Sequence, residues 1–343
     1  MRGGELFLIA TVTFVFPPLR CQNVSLEETL TNFNGSALTE VDFGSFREQF
    51  RRIYEVSSEE FYHRHFYFQN AIKRFAYLNS FSAAPPSAKY GINQFSDLSL
   101  DEFRDFYLRA SADNAPLYSG PKREGLPDKF DWRDKTVVAP VQDQLACGSC
   151  WAFSVVGAMQ AVQAIAGRPL EQLSVQQVLD CSFQNRGCNG GSTTRALSWL
   201  KQTRVKLVPQ SEYSYKATTG ICHFFSQSHA GVVLKDFAAH DFSGQEEAMM
   251  SQLVDWGPLV VTVDAVSWQD YLGGIIQHHC SSQQANHAVL VIGYDTTGTY
   301  CCCTGMKKAH NSRFSDFYLW LTYVKLAFTS GASFTTLGPV KPI

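Results

Sequence analysis

Residues 144–151 read Gln144-Leu145-Ala146-Cys147-Gly148-Ser149-Cys150-Trp151 and run into Ala152-Phe153-Ser154-Val155-Val156-Gly157-Ala158-Met159. The second stretch has apolar or small side chains on nearly every face, the pattern of a helix buried almost all round. Cys150 therefore stands where a buried helix begins. The positive end of a helix dipole favours thiolate, and thiolate is the nucleophilic form of cysteine. Such a thiol needs a base within reach and donors for the oxyanion that forms on an attacked carbonyl. Gln144, upstream of the helix, offers a side-chain amide.

Working outward, the chain has 343 residues, 45% hydrophobic and 17% charged, which describes globular material with room for more than one folding unit. Lys plus Arg (29) nearly balances Asp plus Glu (31), so there is no electrostatic case for a nucleic acid or an anionic membrane as partner. Ten cysteines suit an exported chain. Arg2 precedes an apolar run, Leu6 to Phe16, which is signal-peptide length and too short to span a bilayer. Residues 1–20 are read as a signal peptide, with a buried N-terminal strand as the alternative. Asn23-Val24-Ser25 and Asn34-Gly35-Ser36 are glycosylation sequons. No later segment is apolar enough for a membrane helix, so no membrane span is expected.

Phe46, Phe50, Ile53 and then Phe61, Arg64, Phe68, Phe75 recur at helical spacing, so residues 43–80 read as helical. Ala83-Ala84-Pro85-Pro86-Ser87 breaks that pattern, and a short helix follows over Leu100 to Leu108. Residues 110–125, with Pro116, Gly120, Pro121 and Gly125, read as an exposed, protease-sensitive linker. Further helices are expected at 150–166 and 174–181, the second with Ser174 and Gln177 in a capping-box pattern. Strands are expected at 257–264 and 287–294. Helices first and strands later describe an α+β protein of two lobes with a cleft between them.

Cys147-Gly148-Ser149-Cys150-Trp151 resembles the signature of the papain-like cysteine proteases, the cathepsin family. Asn286-His287-Ala288-Val289 extends the likeness, with His287 following Cys150 by 137 positions, inside the range of about 130–150 expected there. So do Cys181 to Gly191 and Leu126-Pro127-Asp128-Lys129-Phe130-Asp131-Trp132-Arg133. Ahead of them, Glu60, Arg64, Phe68 and Asn79, then Gly91, Asn93, Phe95 and Asp97, resemble the family's inhibitory propeptide, with Ala71 and Phe75 in place of its inner Asn and Ile. The stretches from Cys150 to Ala158 and from Val263 to Ser282 are similar to a lysosomal member.

The resemblance implies a two-lobe fold behind a helical propeptide: signal peptide 1–20, propeptide 21–125, peptidase domain 126–343. It implies a zymogen of a cysteine endopeptidase with Cys150 as nucleophile and His287 as base and acid, resting as thiolate and imidazolium. Gln144 and the Cys150 N–H would form the oxyanion hole. Gly148, Ser149, Gly190 and Gly191 would hold substrate, the last two by strand addition. Ser192, Thr193, Ala265, Ala285 and Ala288 would line a pocket for a bulky apolar residue. Cys147 would pair with Cys188, and Cys181 with Cys222. Peptide and protein substrates, cystatin-type inhibitors and the propeptide itself are the implied partners of a monomer that needs no cofactor and no metal. The lysosome or the secreted space is the implied location. Read by spacing alone, Cys147 and Cys150 also fit a zinc half-site or a thioredoxin-like pair, and the ten cysteines a stapled extracellular module.

The family pattern departs after Gly298-Thr299. Where the family carries Asn-Ser-Trp-Gly, whose Asn orients the histidine, this chain has Asn311-Ser312-Arg313-Phe314 behind Cys301-Cys302-Cys303. A rewritten tail is expected to leave strand edges unpaired, to deprive Cys280 of its usual partner, and to open a second reading: a papain-like isoform that binds peptides or inhibitors without cleaving them.

Overall fold

The computed structural model describes residues 43–81, 88–223, 231–242, 245–274, 276 and 285–296, and the backbone of short strands at 323–326, 335–337 and 341–342. The signal segment, Asn23, Asn34, Cys280, Cys301 to Cys303 and Asn311 lie outside the described residues.

The helical reading of residues 43–80 resolves into two helices. α1 (Phe43–Gln49) and α2 (Glu59–Ser80) are separated by a turn in which Arg51 and Ser57 adopt positive φ of 53° and 70°. Left-handed residues cannot continue a right-handed helix. Ser58 then starts α2 by accepting from the Phe61 N–H at 3.1 Å. Phe43, Phe46, Phe68 and Ile72 close a small aromatic core between the two helices.

β1 (Lys89–Tyr90) is bracketed by Asn79, whose side chain donates to the Tyr90 carbonyl at 2.8 Å and accepts its N–H at 3.0 Å. α3 (Leu100–Tyr107) opens with a complete capping box, Ser99 with Glu102. Arg64 of α2 reaches Glu102 at 2.8 Å and donates to the Asp97 carbonyl at 3.1 Å, and the second contact ties the two propeptide-like motifs together. β2 (Ala110–Ser111) follows. The reading of 110–125 as a wholly exposed linker is therefore corrected: Ala110 and Tyr118 are buried, because the first leaves solvent as a strand and the second stacks on Phe242.

From β3 (Lys129–Asp131) the chain reaches α4 (Cys150–Ile165), buried from Cys150 to Gln163. α5 (Val175–Cys181) starts at Ser174, which accepts from the Gln177 N–H at 3.0 Å. The expected box is not reciprocal, since the Gln177 side chain spans instead to Lys206 and Val208. β4 (Gly191–Ser192) leads into α6 (Thr193–Thr203), then β5 (Lys206–Leu207), β6 (Val232–Asp236) and β7 (Ala239–Asp241). α7 (Glu246–Trp256), β8 (Leu259–Val263), β9 (Tyr271–Gly273) and β10 (His287–Asp295) complete the body.

β10 is the axis of the second lobe. It pairs antiparallel with β8, His287 opposite Val263, and further along with β3. Its side chains alternate between two cores, as strand geometry requires. Ala288, Leu290 and Ile292 pack with α4, α5 and α6, while Val289 and Val291 pack with α7, β8 and Trp132. The N-terminal segment enters the second of these cores through Leu78, Tyr90, Phe95 and Phe103.

The tail overturns one expectation. β11 (Tyr323–Leu326) runs parallel along β10, β12 (Thr335–Leu337) bridges β7 and β8, and β13 (Lys341–Pro342) joins β6. β6, β7, β8 and β10 thus gain backbone partners from the tail, because backbone pairing needs only an extended segment and not the family's side chains.

Candidate active site

α4 begins beside a disulfide. Cys147 is bonded to Cys188, and Cys181 to Cys222, the pairings the resemblance implied. Cys147 is thus spent in the bond, which removes the zinc and redox readings of its spacing to Cys150. Gly148 donates to the Cys188 carbonyl at 2.9 Å, so the run before the helix is held at both ends. Ser149 stands at the N-cap position without capping; its hydroxyl pairs at 2.6 Å with Tyr215, whose own hydroxyl donates to the Gln144 carbonyl at 2.6 Å. Tyr215 therefore positions the residues on both sides of Cys147. Sequence reading missed it, since one Tyr among fourteen carries no local motif.

The opposite wall is the end of β10. Trp268 meets the His287 ring edge to face at 5.8 Å. Asn286 is fastened by both faces of its amide, accepting from the Ala265 N–H at 2.9 Å and donating to Asp264 at 2.7 Å. The N–H of Ala288 points at the Cys150 thiol, so the residue after His287 lies against that sulfur. Of the small residues assigned to a pocket, Ser192, Thr193, Ala265 and Ala288 are buried and Ala285 is half-buried.

Between the walls runs the chain's own N-terminal segment. Gly191 donates to the Arg109 carbonyl at 3.1 Å, Ala110 donates to the Asn286 carbonyl at 2.9 Å, and β2 pairs in parallel with β4. Gly190 makes the approach possible: its φ is +106°, and a Cβ there would stand 2.3 Å from the Arg109 carbonyl oxygen. Asn185 clamps the same edge, accepting from the Ser192 N–H at 2.8 Å. One residue cluster back, the Gln144 amide donates to the carbonyls of Tyr107 at 3.1 Å and Cys147 at 2.9 Å.

Cys150, His287 and Gln144 are 2%, 2% and 4% exposed. Burial pushes the Cys150 thiol up to about 11, against the pull of N–H groups from Ala288, Trp151, Arg109 and Ala110. Burial pushes His287 down to about 3. In this closed form burial disfavours the charged form of each group, because water that would solvate either charge is excluded.

Residues 126–312 match the model of the papain family cysteine proteases, and residues 43–103 that of the cathepsin propeptide inhibitor domain. The chain belongs to the papain family of cysteine proteases. It is a cysteine peptidase in zymogen form, and the family match reaches past Thr299 to Ser312. It is 56% identical to cathepsin O of Homo sapiens over 238 residues, covering 68% of this chain and 74% of that protein, and 54% identical to cathepsin O of Mus musculus over 235 residues, covering 67% and 75%. Among solved structures it is similar to a recombinant stem bromelain precursor, at a TM-score of 0.72 and 26% identity over 87% of this chain and 97% of that one. Procathepsin L2 of Tenebrio molitor gives a TM-score of 0.70 at 25% identity over 87% and 98%. Among the described residues no helix is long and apolar enough to cross a membrane.

Proposed function

We propose that Cys150 is the nucleophile of this peptidase, His287 the base that takes its proton and returns it to the leaving amine, and Gln144 with the Cys150 N–H the oxyanion donors. One observation carries the reading. A peptide backbone, Arg109 to Ser111, is stretched from the Gly191 wall to the Asn286 wall across Cys150. Its parallel pairing with β4 occupies the edge a substrate strand would use, and Tyr107 occupies the amide a developing oxyanion would use. The cleft is thereby filled by its own prosegment.

Cutting within 110–125 frees Gly148, Ser149, Gly190 and Gly191 for substrate, and water then re-enters around Cys150 and His287. The pair becomes thiolate and imidazolium only at that stage. The mature peptidase starts near Leu126, behind a prosegment of 21–125 and a signal peptide of 1–20, and works as a monomer in the endolysosomal lumen or after secretion. Peptides and proteins are its substrates, and cystatin-type inhibitors occupy the same cleft.

The experiment is to express the zymogen, acidify it, and label it with a mechanism-based electrophile. Labelling that disappears in Cys150→Ala supports the reading; an unlabelled, well-folded mature form sinks it. A second reading, a binding isoform without turnover, is favoured by Arg313-Phe314 standing where the family has Trp-Gly after Asn-Ser. Full thiol labelling with no peptide hydrolysis is the outcome that selects it.

A further inference from the structure

Where the prosegment leaves the cleft, it plants a carboxylate. Ser111 pairs in register with Ser192, and beyond it Asp113 accepts hydrogen bonds from the hydroxyls of Ser192 and Thr194 and lies 3.4 Å from a guanidinium nitrogen of Arg195. Ser192 is fully buried and also caps α6, accepting from the Arg195 N–H at 3.2 Å. Its backbone is locked by Asn185 at 2.8 Å. The corner between β4 and α6 thus aims two hydroxyls, a guanidinium and the positive end of an eleven-residue helix at one acidic group.

The acid comes from the segment that imitates a peptide in the cleft and departs with it. Among the described residues, Asp113 is the acidic partner of Arg195. Once the prosegment is cut away, three converging donors are left at a substrate-accessible edge without the carboxylate they now hold. Donors fixed in advance to one charge favour any incoming group of the same charge and shape.

We propose that this corner is a carboxylate-selective subsite. It takes an Asp or Glu side chain of the substrate peptide, two or three residues from the scissile bond on the Gly191 side, and Asp113 is the prosegment's copy of that side chain. The proposal rests on the peptidase reading above. It places a charged rim beside the small-residue pocket that Ser192 and Thr193 share with Ala265 and Ala288.

The test uses the activated enzyme and two peptidyl electrophiles that differ only by Asp against Asn, scanned over the second and third positions. At one of these the Asp probe is expected to alkylate Cys150 about tenfold faster. Arg195→Gln and, separately, Thr194→Val are expected to bring that ratio close to one. A ratio of one in the unaltered enzyme overturns the proposal, as does a ratio that neither variant moves. A small, unselective thiol reagent run in parallel reports on the peptidase reading alone. If it does not react at Cys150, the same peptide pair, made unreactive and fluorescent, is measured by anisotropy on the processed chain; equal affinity for Asp and Asn then overturns the subsite.

Discussion

The two walls of the cleft are built on different principles. On the Cys150 wall the parts lie close together in sequence: Gln144, the Cys147 bond, Ser149 and the helix start are within a few residues of one another, and Tyr215 and Cys188 secure them from outside. On the His287 wall, position comes from the sheet. His287 is where it is because β10 pairs with β8 and β3 and has α4 and α7 packed on its two faces. The first wall is a local motif and the second a product of distant pairings. A change in one should act on chemistry, and a change in the other on chemistry and architecture together.

The sharpest way to break the comparison is at the reacting groups. Cys150→Ala and His287→Ala should each lower hydrolysis by about a millionfold, with inhibitor binding to the processed form retained. Peptide turnover and titration with a reversible inhibitor measure the two. His287→Ala with near-normal turnover would show that another base serves the second wall.

Next comes the lock between prosegment and second lobe. Arg74 of α2 forms a two-pronged ion pair with Asp270 just before β9, and both are almost wholly buried, at 3% and 0% exposure. Arg74→Met strands a buried carboxylate and should weaken the closed zymogen by about 3–5 kcal/mol. Arg74→Met with Asp270→Leu should recover most of that loss. Thermal melting of the full chain and the rate of Cys150 labelling before processing decide; a single variant as tight as the unaltered zymogen would refute it.

Gln144→Ala probes the first wall. If the amide serves the oxyanion as proposed and not the ground state, the change should cost kcat about 100- to 1,000-fold, with KM little changed. In the zymogen the same change loses the contact to Tyr107.

The smallest effect is set by pH. His287 falls from an ordinary value of 6.5 to about 3 when the cleft is closed. The opened cleft, where the Cys150–His287 pair is solvated, takes up a proton at acid pH more readily than the closed one, so closure weakens as pH falls, by up to tenfold per unit. Cys150 acts at the other end: burial holds its thiol up, to about 11, when the cleft is closed, so closure weakens at alkaline pH as the opened pair loses its proton. Amide exchange at Ala110 and Gly191 in the full chain, corrected for intrinsic rate, should show an acid limb that His287→Asn removes. A limb that survives in that variant assigns the effect to another group.

Much of this molecule could be read before folding was considered. The helix at Cys150 and the strand that opens at His287 came from short patterns, because each depends on local period or a contiguous signature, whereas the two disulfide pairings were implied by the family resemblance. Residues 43–80 were read as helical without a break being placed between their two periodic stretches, since periodicity cannot register the left-handed turn at Arg51 and Ser57. Residues 110–125 were read as an exposed linker, because their composition is that of a loop and the strand at Ala110–Ser111 exists only by pairing with Gly191 and Ser192.

By itself, then, the sequence determined which side chains are available for the chemistry and which helix carries the thiol. Those properties follow from residue type and local spacing. Tertiary structure alone decided that Cys150 and His287 are buried beneath the prosegment, that Tyr215 fastens Gln144, that Arg74 meets Asp270, and that Asp113 rests on Ser192, Thr194 and Arg195. Each of these depends on which groups are brought together out of water, and neither period nor motif records that.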